Sequence, residues 1–170
     1  MKGEAMPDKE TIERSREDKR EGKSASTQAG EFVREEMHHI REGKHGARSS
    51  KQAIAIGLSK ARRAGVDLPP PKSGSSKSRK SAARAYARGH GARAKTRPSK
   101  TRSRATSRAL KREGKAAASR TALSRQAHSS ARKRGPAKRH TAAMKAVRTK
   151  GHAGVARAAR KAARTRTRQG

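Results

Sequence analysis

The sequence predicts a mostly α-helical protein with extensive disorder: a small helical hairpin head followed by a long, polycationic, low-complexity tail with Ala/Arg helical propensity. Three observations predict it. Ile, Leu, Val and Phe together number 13 of 170 residues. Below roughly 20% of the chain, with high net charge, such residues bury too little apolar surface to offset ordering entropy. Eight of those 13 lie between Phe32 and Leu68, so any core is local. Charge is divided as well. Residues 1–44 hold 10 Lys/Arg against 11 Asp/Glu, whereas residues 45–170 hold 37 against two, Asp67 and Glu113, for a formal total of +34.

The first segment, residues 1–26, has one large apolar residue, Ile12. Opposite charges recur at helical spacing (Glu10 with Arg14, Arg14 with Asp18), each pair worth only about 0.2–0.5 kcal/mol. A partial helix or disorder is expected, and Met6 is a second candidate start. The N-terminus has no apolar h-region, so no secretory signal is expected.

Residues 27–66 read as a two-helix head. Ala29, Val33, Met37 and Ile40 recur every three to four residues with Phe32 beside them, an amphipathic stripe. Thr27 is the candidate N-cap and Gly43 the stop. Ser49 and Gln52 then stand in capping-box spacing for a second helix over about 50–64. Lys60, Arg62 and Arg63 suit its C-terminus, and Gly65 suits a left-handed cap. Ile54, Leu58 and Ala61 form one stripe. Ile56 lies roughly 200° from Ile54 at the ideal helical turn, which points to a second surface: a dimer, a partner or the first helix folding over. The head core or partner surface is therefore Phe32, Val33, Met37, Ile40, Ile54, Ile56 and Leu58.

Residues 67–78, "DLPPPKSGSSKS", form a Pro/Gly/Ser linker that cannot continue a helix. Residues 79–170 form the basic tail, expected to be disordered alone. Short echoes recur, "HGAR" at His45 and His90 and "KREGK" at Lys19 and Lys111, without a fixed period. This excludes a solenoid. At the C-terminal end Arg157, Arg160, Lys161, Arg164 and Arg168 share one helical face, which should order against a row of phosphates.

Phosphate binding is the strong chemical signal. Arg outnumbers Lys by 28 to 19, and Arg makes bidentate phosphate contacts. The candidate contacts are Arg79, Lys80, Arg84, Arg88, Arg93, Arg97, Arg102, Arg104, Arg108, Arg132, Lys133, Arg134, Lys138 and Arg139, with the five on the C-terminal face. A helix-turn-helix reading would put Lys51, Gln52, Ser59 and Arg62 in a groove. However, "GKHGARS" is longer than the usual turn and no third packing helix is evident. Phe32 and Tyr86 are the only aromatics, which argues against base-stacking platforms.

No catalytic constellation is found: Walker A, G-x-S-x-G and H-E-x-x-H motifs are absent. Neither catalysis nor a cofactor is expected. Glu35-x-x-His38 and Glu36-x-x-His39 match the spacing of carboxylate di-iron helices, but such sites need the motif twice, on separate helices. The pair reads as a solvent-facing polar face, with no metal expected. His45, His90 and His152 sit in glycine-rich basic turns better suited to phosphate than to metal. The chain has no cysteine, so disulfides and thiolate metal sites are ruled out. No run approaches the ~18 apolar residues of a membrane span, and no membrane insertion is expected.

The stretch "GKSASTQAGEFVREEMHHIREGKHGARSSKQAIAIGLSKARRAG" resembles a small uncharacterised domain of bacterial proteins, marked by its "SKQAIAIGLSKAR" run and covering about residues 6–71. The resemblance implies bacterial origin and supplies no catalytic residues. The tail resembles the Ala/Lys-rich tails of histone H1-like bacterial proteins, departing from them in its Arg excess, sparse proline and lack of Ser-Pro or Thr-Pro steps. The expected function is sequence-nonspecific DNA binding in the cytoplasm, at the bacterial nucleoid. RNA or ribosome association is the alternative, and a protein-interaction adaptor acting through the head is the third reading. A homodimer or a protein partner through the head would complete the first.

Overall fold

The computed structural model describes residues 7–92 and 99–168. The chain divides into two compact units, Met1–Ser124 and Arg125–Gly170. Every regular element among the described residues is helical: α1 (Lys9–Arg20), α2 (Ala25–Glu42), α3 (Ser50–Arg63), α4 (Ser76–Gly89), α5 (Lys100–Arg112), a single 3-10 turn (Ala116–Ala118) and α6 (Arg120–Thr167). Met6, Arg93 and Arg97 lie outside the described residues.

In the first unit, α2 and α3 form the central pair. Their ends follow local chemistry. Gly43 closes α2 with a left-handed φ of 81°, and Gly65 follows α3 at 87°. The Ser49 hydroxyl accepts the Gln52 amide at 3.3 Å. The Gln52 carboxamide reaches back to the Arg48 amide, one residue before the cap, at 2.9 Å. At its start α2 departs from expectation. Ser24, not Thr27, occupies its N-cap position, without a side-chain hydrogen bond to the first turn, and the Gln28 side chain donates to the Lys23 carbonyl at 2.8 Å.

The two helices approach closely at Gly57, where a Cβ would lie 2.7 Å from Val33 Cα. Two apolar clusters flank that point. One gathers Ala29, Phe32, Ala61 and Val66, with Ile12, Ala25, Leu58 and Leu68 around it. The other gathers Met37, Ile40, Ala47, Ala53, Ala117 and Ala118, with Val33, Ile54 and Leu123 around it. Phe32 and Ile40 are fully enclosed, each worth about 1.5–3 kcal/mol by burial.

α1 is a full helix packed on α2. Arg14 pairs with Glu10 on its own helix and with Glu31 of α2 at 2.8 Å. Thr11 and Ser15 face inward, small enough to let the helices approach.

The expected disorder after residue 78 is corrected. α4 packs on α3 and buries Ala85, and the Tyr86 hydroxyl donates to Asp67 Oδ1 at 2.6 Å. The 3-10 turn docks on α2 and α3: Arg41 Nε donates to the Ala118 carbonyl at 3.0 Å, and Ser50 Oγ donates to the Ala117 carbonyl at 2.6 Å. The physical reason is that alanine needs no large side chain to pack. Its small surface lets backbone approach backbone, and the freed carbonyls find side-chain donors. Ile56 is half-buried, on a helix that α2, α4 and the 3-10 turn all pack against.

The second unit consists of α6 from Arg125. The helix is interrupted at Gly135 and Gly151, whose φ values of 72° and 69° lie outside the helical region, and Pro136 follows the first break. No residue of α6 is buried. Its helicity rests on the high intrinsic propensity of Ala, Arg and Lys.

Candidate functional site

The structure places the expected phosphate contacts that it describes on five helical stretches. Arg79, Lys80, Arg84 and Arg88 lie on α4, and Arg102, Arg104 and Arg108 on α5. Arg132, Lys133 and Arg134 precede the first break of α6, and Lys138 and Arg139 follow it. Arg157, Arg160, Lys161 and Arg164 lie beyond the second break, with Arg168 just past the helix end. All of these are exposed. Partial burial and the like charge of Arg88 together hold the Arg63 guanidinium below its ordinary pKa. Arg63 of α3 therefore lies close enough to Arg88 of α4 to feel its charge.

Among the described residues, no acid forms an ion pair with these candidate contacts. Asp67 accepts from Tyr86, and Glu113 lies 3.6 Å from Arg48. Head acids pair with head bases: Glu31 with Arg14 and Arg34, Asp18 and Glu21 with Lys23, and Glu42 with Lys44. Arg62 does not face a groove. It is buried, and its guanidinium donates to the carbonyls of Leu68 and Pro69 at 3.0 and 3.4 Å, tying down the chain after α3. Gln52 is occupied in the cap. These placements remove two of the four groups that a helix-turn-helix would aim at bases.

A second constellation lies inside the head, and it corrects the solvent-facing reading of the Glu-x-x-His spacing. Glu35 and Glu36 are buried, at 5% and 0% exposure, and so is Lys60 of α3 at 4%. Lys60 Nζ donates to Glu35 Oε1 at 3.2 Å and lies 2.9 Å from Glu36 Oε2. Burial disfavours the ammonium. Close contact with Glu36 and the charges of both glutamates outweigh it, and the Lys60 pKa is raised. Removing one member of such a buried set costs about 3–5 kcal/mol, because a charge is left without a partner.

Two histidines complete the cluster. His45 Nε2 lies 3.3 Å from Glu36 Oε1, and its Nδ1 lies 3.1 Å from the Gly46 carbonyl. His39 Nε2 lies 3.2 Å from Asp8 Oδ2, and its Nδ1 lies 3.9 Å from Glu35 Oε1. His38 is exposed and stays apart. His90 stacks on Tyr86, with ring centroids 4.0 Å apart. The sequence held a signal for this cluster that the charge reading passed over. Glu36 stands four residues after Phe32 and four before Ile40, on the buried stripe itself. Lys60 stands three residues after Gly57 on the face that packs against α2.

A family model described as "Family of unknown function (DUF6496)" matches residues 20–72. That span holds α2, α3 and the buried Glu35, Glu36 and Lys60 with His39 and His45; the exposed Asp8 lies outside it. Neither the curated proteins nor the solved structures contain a match to the chain. Among the described residues, no helix is long and apolar enough to cross a membrane.

Proposed function

We propose that this protein binds DNA without sequence preference, in the manner of a nucleoid-associated, histone H1-like protein, through exposed Arg and Lys of α4, α5 and α6. One observation carries the reading. The candidate cations are exposed on helical stretches, while the two acids nearest them in sequence have other partners, Tyr86 for Asp67 and Arg48 for Glu113. Arg and Lys at helical spacing meet successive phosphates along a duplex and release their counterions. Such contacts position the protein without reading base identity. The head's part is to hold α4 and the 3-10 turn in place, so that the cations on α4 start from a fixed base.

Crosslinking in the native cell, with sequencing of the attached nucleic acid, tests the proposal. DNA spread across the genome without a shared motif is the expected result. Recovery of ribosomal or other RNA instead would overturn it in favour of an RNA-associated basic protein. A single enriched DNA motif would overturn the nonspecific reading.

A further inference from the structure

His45 Nδ1 faces the Gly46 carbonyl at 3.1 Å, which calls for a proton on that nitrogen and leaves the Nε2 lone pair directed elsewhere. Nε2 lies 3.3 Å from Glu36 Oε1. Glu36 is fully buried; Lys60 Nζ lies 2.9 Å from its Oε2, whereas its Oε1, the oxygen facing His45, makes no hydrogen bond of acceptable geometry among the described residues. Two acceptors facing each other in a dry pocket repel unless a cation lies between them. His39 is on the same side. One ligand atom each from Glu36, His39 and His45 all lie within 4.8 Å of one another. A tetrahedral zinc site with bonds of about 2.1 Å separates its ligand atoms by about 3.4 Å, so small rotations close the set.

We propose that Glu36, His39 and His45 bind one divalent transition-metal ion of the zinc class, which fastens the loop after α2 to α2 itself. The outer contacts fit. A metal-bound imidazole gives its other N–H to a carbonyl or carboxylate. His45 has Gly46 for this and His39 has Asp8 Oδ2, 3.2 Å from Nε2, so His39 Nδ1 is left for the ion. The charge balances: Asp8, Glu35 and Glu36 are offset by Lys60 and a divalent ion, with both imidazoles neutral. Of the three ligands, His39 lines a surface cleft that it shares with the acids Asp8, Glu35 and Glu42 and the cations Arg14, Arg34 and Lys44. The ligand set of one carboxylate and two imidazoles suits zinc or cobalt, and it lacks the six to eight oxygens that calcium prefers.

The test uses the full chain, stripped with a chelator and titrated with Co²⁺. A visible d–d band of tetrahedral intensity should grow to one equivalent and vanish when Zn²⁺ is added. His45→Asn should weaken binding at least tenfold, whereas His152→Asn should leave it unchanged. Asp8→Asn, at an exposed position, should weaken it about tenfold without disturbing the core. Absence of the band in the natural chain would overturn the proposal. Equal affinity in the natural chain, H45N and D8N would also overturn it, by placing the ion on other histidines.

Discussion

Gly57 decides how closely the two central helices meet. Alanine normally stabilises a helix interior by about 0.5–1 kcal/mol over glycine, through lower unfolded-state entropy and higher propensity. At Gly57 the added carbon would lie 2.7 Å from Val33 Cα and 3.0 Å from the Phe32 carbonyl oxygen. Both are backbone atoms of α2 and cannot rotate away. Overpacking of that kind costs about 1–3 kcal/mol, so it prevails. Gly57→Ala should lower the midpoint of thermal unfolding, whereas Gly30→Ala on α2, where nothing lies within 4 Å of the new carbon, should raise it. Equal shifts in the two variants, measured by circular dichroism, would mean that α3 does not lie this close to α2. The residue scale also shows where charge misleads. Glu36 belongs to the stripe of Phe32 and Ile40 by spacing. Its burial depends on Lys60, 24 residues later, and a helical pattern does not display a partner at that distance.

At the scale of elements, the helix ends were legible because their causes are local. Gly43, Ser49 and Gly65 each act on the turn beside them. The docking of α4 and of the Ala116–Ala118 turn was not legible. Its apolar contribution is alanine, which a count of large hydrophobic residues leaves out. Its hydrogen bonds join positions as far apart as Arg41 and Ala118. The link between α4 and the chain after α3 can be read directly, because Tyr86 is the only tyrosine and the chain has no tryptophan. The hydrogen bond to Asp67, desolvation and the Asp67 charge all raise the Tyr86 pKa above 10.0. The folded state thus holds the phenolic proton more tightly than the unfolded state does. By linkage, its contribution to stability is fully present below pH 10 or so and is lost as pH rises through the raised value. A spectrophotometric titration of the tyrosinate band should place the midpoint above that of an unfolded control, and Asp67→Ala should return it toward the control. Coincident midpoints for the natural chain and the variant would show that α4 is not held through this pair.

At the scale of the whole molecule, the distribution of charge gives a quantity that can be measured. Residues 125–170 carry 15 Lys and Arg and no acid, and none of the described residues there is buried. Each phosphate contact on B-DNA contributes about 0.9 to the slope of log K against log salt. If about ten of the chain's cations engage at once, the slope is near −9 by the same rule. Residues 76–124 supply the remaining exposed contacts, on α4 and α5, in a unit whose core closes with Leu123. Truncation after Ser124 should therefore leave a chain that still binds, with a slope reduced by roughly half, to about −4 or −5. Fluorescence anisotropy on a random-sequence duplex across a salt series measures both slopes. Random competitor DNA should displace the duplex equally well for both chains, because neither is expected to read base edges. A slope unchanged by the truncation would assign the contacts to α4 and α5. A slope near zero after it would assign them all to α6, and the cations held by the folded head would then play no part in binding.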